Sequence, residues 1–160
     1  MRARAKPTSR HGKAAMLAGA GLVAAGLGMQ PSLLFGATAE AVKISQAWVP
    51  PADHAGGDLP LSMTIKNEAD TADTLVRVRC PVANFSEKHI VDRGEGAPAM
   101  RAIPAIPIAA NSTILLKPDG YHVMLLQTRQ KLVDGEKFTC AVVFQNAGTK
   151  ETEVQVSRTP

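Results

Sequence analysis

Apolar and polar positions alternate along most of the chain after residue 41. Leu61-Ser62-Met63-Thr64-Ile65-Lys66 and Leu75-Val76-Arg77-Val78-Arg79-Cys80 place every second residue in an apolar series. That period of two predicts strands with one face in a core, and it puts Met63 inside. Residues 42–49 read as a first strand, ended by Pro50-Pro51. Further β-rich runs cover 85–91, 112–117, 121–127, 138–145 and 152–156. Turn chemistry separates them: Gly56-Gly57 in the loop 52–58, the polar stretch 67–73, Lys117-Pro118-Asp119-Gly120, Asp134-Gly135 and Asn146-Ala147-Gly148. Residues 102–109 carry Pro104 and Pro107, which fits an edge strand or an extended loop. No stretch has a convincing amphipathic helical period, and no internal repeat is present. The pattern predicts one all-β domain over 42–156, an antiparallel barrel or sandwich of cupredoxin-like or immunoglobulin-like kind, with 157–160 as a tail. Trp48, the single tryptophan, is expected in the core or at a strand end.

The first 41 residues follow another logic. Residues 1–13 are basic, and 14–29 form an uncharged run of Ala, Gly, Leu, Val and Met. Ala37-Thr38-Ala39 and Ala39-Glu40-Ala41 are small-x-small sites. Together these predict a signal peptide over 1–39, cleaved after Ala39 or Ala41, rather than a retained anchor. No Arg-Arg pair occurs, which favours the general secretory route. No Cys follows the apolar run, so lipid attachment there is not expected. The predicted destination is the periplasm, with no membrane contact after cleavage.

Charge sharpens that division. The net charge of +4 could suggest nucleic acid, but Arg2, Arg4, Lys6, Arg10 and Lys13 all lie in the leader. Removing those five leaves thirteen basic residues against fourteen acidic ones, all of the latter from Glu40 onward. A near-neutral domain does not indicate a phosphate-binding surface.

Past the leader the chain keeps three His and three Met, and four of those six fall in one pattern: His89, ten residues, Met100, twenty-one residues, His122, one residue, Met124. His122 and Met124 share a strand face by their spacing. His89 and Met100 flank Asp92-Arg93-Gly94-Glu95-Gly96-Ala97-Pro98, a loop or hairpin that can bring them together and present them opposite the first pair. Two imidazoles and two thioethers select Cu(I) over Zn, Ca or Mg, because thioether sulfur is soft and uncharged. His54 lies in the Gly-rich loop and is expected in solvent rather than at the metal. No nucleophile elbow, zincin motif, phosphate loop or dinucleotide fingerprint is present, and no paired carboxylates suggest acid–base work, so the reading is non-enzymatic.

The same four residues, with Gln46-Ala47-Trp48, Met100-Arg101, 118–125 and Phe144-Gln145-Asn146-Ala147-Gly148-Thr149, resemble the periplasmic PCuAC-type copper chaperones. The motif H-x10-M-x21-H-x-M is matched at every position, and Ile90 stands where many members carry a second Met. The resemblance implies a cupredoxin-like barrel and a Cu(I) metallochaperone. It implies as client the binuclear copper centre of a respiratory oxidase, with a Sco-type thioredoxin-like protein as co-worker.

Cys80 and Cys140 are even in number, and an oxidising compartment favours pairing them. A loop of that length stabilises by roughly 4 kcal/mol in chain-entropy terms. A blue-copper electron carrier would instead need a thiolate with a histidine soon after it, and no His follows Cys140. A metal-free β-sandwich interaction module is the third reading, distinguished by its failure to retain copper.

Overall fold

The alternation over 42–156 folds as expected into strands. In the computed structural model, residues 40–94 and 96–158 are described, and the predicted signal peptide lies outside them. The strands are β1 (Val42–Val49), β2 (Leu59–Asn67), β3 (Asp73–Arg79), β4 (Ala83–Asp92), β5 (Ala99–Ile103), β6 (Ile106–Ile108), β7 (Ser112–Leu116), β8 (His122–Thr128), β9 (Lys137–Phe144) and β10 (Gly148–Val156).

They form one hydrogen-bonded path, β5-β4-β8-β2-β1-β10-β9-β3-β6, with β7 beside β2. The proline-bearing stretch supplies both ends of that path, since β5 and β6 are its two edges. Only Pro104 and Ala105 separate them in the chain. Three residue steps span about 11 Å at most, so the two ends of the path must lie side by side. The sheet therefore curls round its core. The core is the inward series of the alternating strands, including Leu61, Met63, Ile65, Leu75, Val123, Leu125, Val142, Phe144 and Val154, all 2% exposed or less.

In β3 the register with β9 shifts between Leu75 and Arg77, so Leu75 and Val78 both face inward, and three further details depart from the simple alternation. The sheet is not wholly antiparallel, because β1 and β10 pair in parallel through Trp48–Gln155 and Val49–Val156. In β1 the register with β2 shifts between Ser45 and Trp48, where Gln46 has φ +52°. This bulge leaves Ala47 and Val49 buried and Trp48 half-buried on the outer face. Finally, β7 and β8 run in line along one edge of β2, at Met63–Asn67 and Leu59–Leu61 respectively. The Pro118-Asp119-Gly120 turn is an excursion between them, closed by the Lys117 N–H on the Tyr121 carbonyl at 2.8 Å.

Cys80, at the end of β3, is bonded to Cys140 in the neighbouring β9. The neighbouring register pair is Arg79–Ala141. The bridge thus staples two adjacent strands, as the cysteine count predicted.

Candidate metal centre

Register brings the four predicted residues onto a single face. His89 on β4 stands directly opposite His122 on β8, and Met124 stands opposite Glu87. Across the β4–β5 hairpin, His89 pairs with Ala102 and Val91 with Met100. Directly paired residues and those two apart share a face, so His89, Met100, His122 and Met124 all project together. The expectation of two opposed pairs is corrected: the hairpin lies beside β8 in the same sheet and adds to its face. The other face of β8 carries Val123 and Leu125, which are fully buried and anchor the strand in the core.

The imidazoles sit deep and one thioether sits outside. His122 is 1% exposed and His89 8%, whereas Met100 is 59% exposed. The two rings meet edge to face, with centroids 5.5 Å apart and an interplanar angle of 82°.

For neutral rings, the hydrogen bonds decide which nitrogens hold lone pairs. His122 Nδ1 lies 3.0 Å from the Gly120 carbonyl. A carbonyl only accepts, so Nδ1 donates, and Nε2 of the neutral ring keeps its lone pair. That nitrogen faces Met100 Sδ at 3.2 Å. Neither atom then carries a proton, and two electron-pair donors confront each other. His89 is the mirror case. Its Nε2 lies 3.1 Å from Glu87 Oε2, and an ionised carboxylate only accepts, so Nε2 donates. The lone pair falls on Nδ1, which is buried and has no partner. Buried polar atoms are rarely left so. His122 Nε2 and Met100 Sδ together offer a nitrogen and a sulfur donor to a cation.

The surrounding chain holds this geometry. The Gly120 carbonyl also accepts the Val91 N–H at 3.2 Å, and Arg93 donates to the Asp119 carbonyl at 3.0 Å. Asp92 and Arg101 form an ion pair across the hairpin. The Lys117 ammonium beside Asp119 holds that carboxyl below its ordinary range. On the opposite face of β4, Lys88 donates to the Val76 carbonyl, and its ammonium is held below the usual lysine range by burial first and the Arg77 charge second.

Other predicted residues fall into place. Ile90 follows His89 and lies on the reverse face of β4, away from the four. His54 is exposed, and its loop is bonded to Thr128, the opposite end of β8 from His122. Trp48 pairs with Ser62, which shares a strand face with Pro60, the partner of Met124. The tryptophan is therefore on the same outer face, two strands from β8. Two contributors escaped sequence reasoning: Glu87 and the Gly120 carbonyl. Glu87-x-His89 on a predicted strand was the available signal for the first. Among the described residues no three His, Cys, Asp or Glu gather as a metal site.

Comparison with known proteins agrees with this architecture. A family model described as "Putative lipoprotein LpqE-like" matches residues 42–156. The "Putative lipoprotein Lxx21020" of Leifsonia xyli subsp. xyli (strain CTCB07) is 29% identical over 123 residues, covering 76% of this chain and 72% of its own. The copper-bound PCuAC domain from PmoF2 superposes with a TM-score of 0.64 at 23% identity, over 73% of this chain and 92% of that one. The solution structure of Cu(I)-DR1885 from Deinococcus radiodurans gives 0.60 at 24% identity, over 75% and 82%. The fold is thus that of the PCuAC domains.

Proposed function

The chain belongs to the LpqE-like family, and from that premise we propose that it is an exported copper carrier that binds one Cu(I) through His89, Met100, His122 and Met124. The observation that carries this reading is His122 Nε2 facing Met100 Sδ at 3.2 Å, together with a buried, unpartnered Nδ1 on the neighbouring His89 ring. Imidazole nitrogen and thioether sulfur form a neutral, soft set suited to Cu(I). The names of structures sharing the fold support the same cargo, since one is copper-bound and another holds Cu(I).

The arrangement suits transfer. Met100 is the outermost of the four, so an acceptor's ligand reaches that side first and can replace the thioether while the deeper imidazoles still hold the ion. Copper then moves by successive ligand exchange, with no change of oxidation state and no bond made or broken in the chain. The acceptor is a protein with its own soft ligands. The PCuAC resemblance implies the binuclear copper centre of a respiratory oxidase, with a Sco-type protein as co-worker. The amino-terminal segment would direct the chain to the periplasm or an equivalent exported space. The blue-copper reading loses its ligand, because both cysteines are in the disulfide.

Retention of copper tests the proposal. Protein loaded anaerobically with Cu(I) and dialysed should keep one equivalent, and the His89→Ala plus His122→Ala variant should keep essentially none while its circular dichroism stays native. Wild-type protein that emerged metal-free would leave only the interaction-module reading.

A further inference from the structure

The closure of the sheet leaves a seam. β6 pairs with β3 only at Asp73–Leu75, so the same edge of β3 beyond Leu75 has no strand partner. β4 lies across from it without pairing. Instead, Ser86 Oγ donates to the Val78 carbonyl, and Lys88 Nζ to the Val76 carbonyl. Between these strands opens a cavity of about 400 Å³. Cys80 and Ala83 line it, with Arg77 and Arg79 from β3 and Asn84, Phe85 and Arg129 from the other side.

No acidic residue lines this cavity. Elsewhere in the domain Lys43, Lys66, Arg101, Lys117, Lys137 and Arg158 each face a carboxylate. Here the side chains of Arg77 and Arg79 make no hydrogen bond or ion pair among the described residues, and the one side-chain bond of Arg129 goes to the neutral Asn84 side chain. A near-neutral domain has therefore gathered three uncompensated guanidinium groups around one concave site. Guanidinium forks match carboxylates in shape and charge. Phe85 adds an exposed aromatic ring at the rim, 61% accessible. It lies on the same face of β4 as Glu87 and His89, about 13 Å along the strand from the latter.

We propose that this seam is the docking site for an acidic protein surface, its carboxylates entering between Arg77, Arg79 and Arg129 and an apolar neighbour covering Phe85. The distance from Phe85 to His89 lies within the footprint of one protein, so a partner seated in the seam can extend along β4 to the face that carries His89. The inference deepens the copper-carrier reading by giving the acceptor's chemistry, and it rests on that reading only for what the docked protein receives. Opposite charge would steer the encounter and fix its orientation, with the aromatic ring as anchor.

The test uses the metal-free exported protein, without the basic leader, so neither the leader nor a failure of copper binding can disguise the result. Hexaglutamate peptide is titrated at low ionic strength while backbone amide shifts are followed by NMR, with inorganic phosphate as a parallel probe. The expected response maps to Arg77, Arg79, Phe85 and Arg129. Binding should weaken about tenfold or more in Arg77→Gln plus Arg79→Gln. It should be nearly unchanged in Lys131→Gln plus Lys150→Gln, which removes the same charge elsewhere. Arg129→Gln serves if the first double variant melts early. Equal weakening in both double variants, or no localised response, would overturn the site. A response to phosphate equal to that for the peptide would overturn the protein partner in favour of a small free anion.

Discussion

Two of the places where described polar side chains are buried treat them differently. At the Asn67–Asp73 corner every buried polar group finds a protein partner. Asp73 accepts the N–H groups of Thr74, Asn146 and Ala147, and so fastens the β9–β10 turn to the start of β3. Asn67 donates to the Thr71 and Ala109 carbonyls and accepts the Ala69 N–H. At the β4–β5–β8 face, His89 and His122 are as deeply placed, yet one nitrogen is orphaned and another looks at a sulfur. Burial alone does not separate a structural polar group from a functional one. What separates them is whether the chain itself completes the hydrogen bonding. The corner is finished by folding, and on the proposed reading the face is finished by copper.

That contrast is broken most severely by Asp73→Ala, which would leave three backbone donors to find new partners. It should cost about 3 kcal/mol in a denaturant melt and leave the number of Cu(I) ions bound unchanged. If copper binding fell with stability, the two regions would not be separate. Asp73→Asn, which keeps one acceptor oxygen, should cost less.

Glu87 tests the other side of the contrast. On a neutral His89 ring its carboxylate, 3.1 Å away, favours the proton on Nε2 and leaves Nδ1 to ligate. Glu87→Ala should lower Cu(I) affinity about tenfold. Imidazole ¹⁵N shifts of the metal-free protein should show His89 leaving its single tautomer. Glu87→Gln retains an accepting oxygen and should restore most of both. An unchanged tautomer in Glu87→Ala would remove Glu87 from the account.

The smallest effect comes from an exposed charge cluster at the rim of the Asn67–Asp73 corner. Glu68 bridges Lys43 and Lys66, which oppose one another across β1 and β2, and hydrogen bonds to the two ammonium groups lower its carboxyl from 4.5 to about 2. A depressed carboxyl adds stability above its unfolded value and loses it as pH falls toward the folded one. Glu68→Gln should therefore lower the melting temperature slightly at neutral pH and converge with wild type near pH 2. Salt should shrink the difference. A gap that persisted at pH 2 would assign the effect to something other than charge.

Much of this was legible from particular residues. The period of two in 61–66 and 75–80 gave true strands, and Pro104 with Pro107 marked the sheet edges. His122-x-Met124 put two donors on one face. The rest depended on contacts between distant parts of the chain. Nothing local to His89 says that β4 lies beside β8, so the facing imidazoles and the shared face of all four residues were hidden. The parallel pairing of β1 with β10 joins the two ends of the domain. The Gln46 bulge rests on a positive φ at a residue type that seldom adopts one. Residues 148–151 begin β10 before the predicted start at Thr152, because the Gly-Thr-Lys-Glu run lacks an apolar series and is held by its ladder to β9. Glu87 was visible but mute, since a carboxylate two residues from a histidine acquires meaning only once both share a strand face.

The central claim is that sulfur and nitrogen lone pairs on one sheet face hold Cu(I), and the Met100→Ala plus Met124→Ala variant tests it most directly. Anaerobic Cu(I) titration against a competing chelator, with Cu(II) titrated in parallel, should show Cu(I) affinity falling far more than Cu(II) affinity while the circular dichroism stays native. Unchanged Cu(I) affinity in that folded variant would contradict the account.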